Sequence, residues 1–144
     1  MTKFDKLLFY LCFSATFLSG MVIYILDNYF KIKTTWGIDS HPALSICKSI
    51  HNLLTPVLVF VLGYLTFSHI LPRLKITRKL RGRKSGILLV VSFLTLVFTG
   101  QLNLVLGNEK VLETIGEIHF IVGVAIIPML LFHLKRISKS SISI

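Results

Sequence analysis

Histidine is the residue through which this chain can do chemistry. It has five histidines, and four fall into two spaced pairs. His51 and His69 lie 18 residues apart, and His119 and His133 lie 14 apart. At about 3.6 residues per helical turn, the first spacing is a whole number of turns and the second falls about 40° short of one. Each pair therefore shares a helical face. If the two helices run the same way, His51 shares a depth with His119, and His69 shares one with His133. Each level then offers two imidazoles, one for either side of a flat iron porphyrin. This is the ligand set of two b-type haems. His51 and His119 would hold the outer iron, and His69 and His133 the inner one. Zinc takes three or four ligands, which two histidines per level do not supply. The sequence has no Cys-x-x-Cys-His, so the haems expected here are non-covalent. His41, just before Pro42, falls outside the layers.

The elements that must carry these histidines are membrane-spanning helices. The chain of 144 residues is 53% hydrophobic and only 15% charged, against roughly 25% charged in a soluble domain. Its net charge of +10 comes from 16 Lys and Arg against 6 Asp and Glu. Those cations sit between apolar runs instead of along a soluble face, which excludes nucleic acid as the partner. Residues 7–26, 53–71, 85–108 and 118–134 contain no charged side chain. A spanning helix needs about 20 apolar residues, so the sequence predicts helices over 7–27, 43–71, 85–107 and 115–134. The fold class expected is all-α, a four-helix transmembrane bundle forming one membrane domain over 1–144. The first apolar run is longer than a signal-peptide core and is read as a retained helix. Cys12 and Cys47 are too few for a disulfide framework.

Orientation follows from the loop cations. Twelve lie on one side: Lys3, Lys6, Arg73, Lys75, Arg78, Lys79, Arg81, Arg83, Lys84, Lys135, Arg136 and Lys139. Only Lys31, Lys33, Lys48 and Lys110 lie on the other. Both termini are expected in the cytoplasm of a bacterial cell whose inner membrane holds the protein. Tyr24, Tyr29, Phe30 and Trp36 read as an interfacial aromatic belt. Ser40, His41 and Pro42 read as a helix start with Ser40 as the capping hydroxyl.

The two halves of the chain repeat. Phe17-Leu18-Ser19-Gly20 parallels Val97-Phe98-Thr99-Gly100, and Ser49-Ile50-His51 parallels Glu117-Ile118-His119. Gly86 and Gly100 are 14 apart, the spacing of His119 and His133, and Gly20 lies at the outer level of the first span. Glycine permits close approach to a macrocycle, so Gly20, Gly86 and Gly100 join the candidate cofactor-binding residues. Ser68, Thr55 and Asn52 are candidate polar neighbours of the ligands. Two spans per half give both halves one orientation, with a repeat axis along the membrane normal.

On these residues the chain resembles the four-helix di-haem membrane cytochromes b. The group includes the haem-bearing half of cytochrome b in quinol–cytochrome c oxidoreductases. It also includes the cytochrome b anchors of formate dehydrogenases and nickel–iron hydrogenases. His51, His69, His119 and His133 match the ligand positions, and Gly86 and Gly100 match the third-helix glycines. In the first helix only Gly20 fits, because Lys6 occupies the inner counterpart. The 18-residue spacing of His51 and His69 departs from the quinol-oxidising pattern. The resemblance implies electron transfer across the membrane between a quinone or membrane donor and a partner redox protein. It makes the chain an electron-transfer subunit of an oxidoreductase complex, its soluble redox domains supplied by partner subunits. The alternative is a haem-free four-helix anchor or assembly subunit. A small transporter would show a buried acid or a broken helix, and neither is legible.

Overall fold

A computed structural model describes residues 2–76 and 82–141. The order is α1 (Lys3–Tyr29), β1 (Lys31–Thr34), β2 (Gly37–Ser40), α2 (Ala43–Leu65), a π-helical turn (Thr66–Ile70), α3 (Leu71–Lys75), α4 (Arg83–Val105) and α5 (Glu109–Ser141). α2, the π turn and α3 are continuous as one apolar helix of 33 residues, Ala43–Lys75. That helix, α1, α4 and α5 are each long and apolar enough to cross a membrane. The protein is all-α with four spanning helices. Arg78, Lys79 and Arg81 of the basic loop lie outside the described residues.

The chain divides into two compact units, Met1–His69 and Ile70–Ile144. α1 packs on α2 in the first, and α4 packs on α5 in the second. Most of the buried side chains are apolar, among them Phe9, Leu58, Val61 and Leu65 in the first unit, and Leu89 and Ile126 in the second; Asp5, Thr16 and Ser85 are buried as well. The exteriors are apolar too, with Leu53, Phe60, Phe98 and Ile121 all exposed. Patches of that extent call for a non-aqueous surrounding. The hydroxyls agree. Thr55, Thr66, Ser92 and Thr95 each donate to the carbonyl four residues back in their own helix. That is how a lone hydroxyl is satisfied where water is absent.

The helix ends follow from local chemistry. α1 starts at Lys3, ahead of the expected residue 7, because Thr2 and Asp5 form a reciprocal cap. Asp5 N donates to Thr2 Oγ1 at 3.1 Å, and Thr2 N donates to Asp5 Oδ2 at 2.7 Å. α5 starts at Glu109, six residues before the expected 115, with Asn108 Oδ1 accepting from Val111 N. The second span runs on to Lys75, past the expected residue 71, and widens at Thr66–Ile70. Pro72 explains the widening. It has no N–H for the Ser68 carbonyl, and its ring crowds that carbonyl, so the chain opens into a π turn.

Two features of the outer loop differ from expectation. It is a β-hairpin, with Lys31 paired to Ser40 and Thr34 to Gly37. Trp36 stands at its tip, 97% exposed. Gly37 follows with φ of 134°, a conformation that side chains disfavour. Ser40 therefore belongs to a strand and does not cap α2. Ala43 N donates instead to His41 Nδ1 at 3.2 Å, which gives His41 a capping role of its own.

Candidate functional site

Three of the four spaced histidines sit in copies of one local arrangement. In the first unit, His51 of α2 meets Ser19 and Gly20 of α1. Ser19 Oγ lies 2.9 Å from His51 Nδ1, and a Cβ placed on Gly20 would lie 3.2 Å from His51 Cε1. In the second unit, Thr99 Oγ1 of α4 lies 2.8 Å from His119 Nδ1 of α5. A Cβ on Gly100 would come within 3.4 Å of the His119 ring. Ser85 Oγ lies 3.0 Å from His133 Nδ1, and a Cβ on Gly86 would reach to 3.2 Å of that ring. Each seat is a hydroxyl–glycine dipeptide on one helix under an imidazole on its neighbour.

The hydroxyls also have backbone partners. Ser19 Oγ donates to the Thr16 carbonyl at 2.8 Å, Thr99 Oγ1 to the Thr95 carbonyl at 2.8 Å, and Ser85 Oγ to the Gly82 carbonyl at 2.9 Å. A hydroxyl has one proton. With that proton on the carbonyl, the oxygen accepts from Nδ1–H of the imidazole, which leaves the lone pair on Nε2. An imidazole held through Nδ1–H and presenting Nε2 is oriented as a metal ligand.

At Gly20, Gly86 and Gly100 the side-chain atoms nearest to an added Cβ belong to the imidazoles of His51, His133 and His119. Thr55 also has another partner, since its hydroxyl donates to the His51 backbone carbonyl at 2.8 Å. The hydroxyls that hold the rings come from the facing helix, one residue before each glycine. The sequence carries that signal. Ser19-Gly20, Ser85-Gly86 and Thr99-Gly100 are all the Ser-Gly and Thr-Gly dipeptides in the chain, and every one underlies a histidine.

His69 is placed differently. It lies half-buried in the π turn at the C-terminal end of α2. Stepping 14 residues inward from Ser19-Gly20, the distance that separates the two dipeptides of α4, reaches Asp5-Lys6. The same step from His51 reaches Leu65, which is 6% exposed in the core. Asp5 is 4% exposed and accepts from Tyr64 Oη at 3.3 Å as well as from Thr2. Asp5, Tyr64 and Leu65 thus stand at that level of the first unit, and Ser19-Gly20 has no counterpart there.

Among the described residues, no three His, Cys, Asp or Glu side chains converge as a metal-ligand set. The seats instead suit a group that brings its own equatorial ligands and takes single axial imidazoles. A haem fits that description. Comparison of the chain with protein-family models, curated proteins and solved structures gives no match.

Proposed function

We propose that this protein is a di-haem b-type membrane cytochrome that carries electrons across the bilayer. The observation that carries the reading is the threefold seat, which sets a hydroxyl against Nδ1 of His51, His119 and His133 and so favours Nε2 as the ligating nitrogen. One such contact would be ordinary packing between a hydroxyl and an imidazole. Three copies, each on a Ser-Gly or Thr-Gly dipeptide, describe a device for holding axial ligands.

In this reading His51 and His119 bind the outer haem, and His133 and His69 bind the inner one. Bound haem supplies a one-electron couple whose potential follows axial ligation, hydrogen bonding and burial. The chain's own residues do the rest. Ser19, Thr99 and Ser85 orient the imidazoles and raise their basicity by accepting from Nδ1–H. Gly20, Gly100 and Gly86 let those rings lie against the facing helix. The apolar helices hold the sites away from water. An imidazole on each side of an iron excludes substrate from it, so the electrons come from and go to separate molecules. A membrane quinone and a partner redox subunit are the proposed exchange partners. The test is a reduced-minus-oxidised absorbance spectrum of the purified full chain. Six-coordinate b-type bands are expected, and a colourless, well-folded protein would contradict the reading.

The orientation proposed is cytoplasmic termini in a bacterial inner membrane. Twelve cations against four support it, and the basic stretch between α3 and α4 would meet anionic headgroups. Reporter fusions after Lys84 and Arg136 should read as cytoplasmic. Fusions at Trp36 and Lys110 should read as external. An external C-terminus would exchange the outer and inner levels.

A further inference from the structure

A groove between α4 and α5 carries two cations at one end and an apolar wall along the rest. It has a volume of about 200 Å³ and is lined by Lys84, Ser85, Leu88, Met129, Phe132 and Arg136. Lys84 and Leu88 lie one turn apart on α4, and Met129, Phe132 and Arg136 follow one another on α5 at steps of three and four. Each helix therefore offers one stripe to the groove. Both cations are exposed, near the end where α4 starts and α5 finishes. Lys84 immediately precedes the charge-free run 85–108, and Arg136 comes two residues after the run 118–134 ends. From that boundary the groove descends past Phe132, Leu88 and Met129 into the apolar part of the spans. The Arg136 guanidinium lies 5.3 Å from the centroid of the Phe132 ring, a cation–π contact that keeps it at the groove. The acids of this unit are Glu109, Glu113 and Glu117. Glu117 comes 19 residues before Arg136 in α5, about 28 Å away along the helix. No acid of the second unit thus balances the two cations.

We infer that this groove holds one anionic phospholipid, its phosphate at Lys84 and Arg136 and part of an acyl chain along Leu88, Met129 and Phe132. Charge decides the class. A guanidinium offers paired N–H donors that match phosphate oxygens, and an ammonium adds a compact positive charge. A zwitterionic lipid would bring a third cation to the two already there. A free phosphate would meet the cations and leave the apolar wall unmatched. The site lies wholly in the second unit and needs no haem. It does adjoin a histidine seat, because Ser85 lines the groove and its hydroxyl lies 3.0 Å from His133 Nδ1. A lipid bound here would cover the flank of that seat.

The test is native mass spectrometry of the purified, delipidated full chain, titrated with phosphatidylglycerol or phosphatidylcholine of matched acyl chains. One phosphatidylglycerol per chain should bind first, about fivefold or more tighter than phosphatidylcholine. Lys84→Gln and Arg136→Gln should each weaken it about fivefold, the effect of one cation near anionic lipid. Both change exposed side chains, and either one supplies the measurement if the other does not purify. Lys135→Gln removes the same charge at the same level outside the groove and should leave the affinity unchanged. Glycerophosphoglycerol, the headgroup without its chains, should not compete, and neither should inorganic phosphate. Competition by either would overturn the inference by making the groove a free-phosphate site. Equal binding of phosphatidylcholine, or unchanged affinity in the groove variants, would overturn it as well. So would equal weakening in Lys135→Gln and Arg136→Gln, which would reduce the effect to general surface charge. Haem content is a separate measurement, and none of these outcomes alters the di-haem reading.

Discussion

Alanine at His51 and alanine at His119 should remove one and the same haem. The two residues belong to different units, yet each lies near the start of a helix long enough to span a membrane. His51 is eight residues into α2 and His119 is ten residues into α5, depths of about 12 and 15 Å at 1.5 Å per residue. In the proposed reading each variant would take one of two strong ligands from the same iron, so the outer haem should be lost or turn high-spin in both. The double variant should then be no worse than either single one, because the second change removes the partner of a site already lost. The inner haem should persist in all three proteins. His133→Ala should produce the opposite loss. His41→Ala should leave both haems in place, since His41 caps α2 through Nδ1 and is not a ligand in this account. Haem stoichiometry and low-temperature spectra of these variants check the pairing. Loss of different haems from His51→Ala and His119→Ala would break it.

The seats themselves give the second large effect. Ser19→Ala removes the acceptor that holds Nδ1–H of His51, and Ser85→Ala does the same for His133. Each should weaken its own haem about 10- to 100-fold, or about 1.4 kcal/mol per factor of ten. Gly20→Ala and Gly86→Ala should act on the same haems by a steric route. Their new methyl groups would meet Cε1 of the seated ring at 3.2 Å, and the imidazole must shift by a few tenths of an ångström. Thr55→Val is the internal control. Its hydroxyl bonds a backbone carbonyl and no ring, so haem affinity should not change. The rate at which haem transfers to excess apomyoglobin reads all five variants. Uniform behaviour of the serine variants and Thr55→Val would show that the seats do not orient ligands.

The four spans and the helix-pair repeat were legible because charge-free runs of membrane length are separated by cations. The imidazole faces were legible because helical periodicity turns spacing into direction. The glycines were legible as small residues at the levels of the histidines. A sequence shows that Gly20 and His51 share a level, but not that the ring lies in the space a Cβ would take. The hydroxyls stood in plain view beside those glycines. Their role depends on a carbonyl one turn back consuming their proton, which only coordinates display. The hairpin was missed because strands of four residues, Lys31–Thr34 and Gly37–Ser40, give too short an alternation to read. The capping by His41 was missed because serine is the commoner cap, and Ser40 is adjacent to it. The different placement of His69 was visible as 18 against 14 residues. The π turn that goes with it follows from Pro72.

The most direct measurement of the central claim is the haem content of the purified chain. Pyridine haemochrome analysis, set against protein concentration from amino-acid analysis, should give two protohaem groups per chain. Acidified organic solvent should extract both, because the sequence has no Cys-x-x-Cys-His to attach them. A well-folded, monodisperse protein that contains no haem would contradict the account.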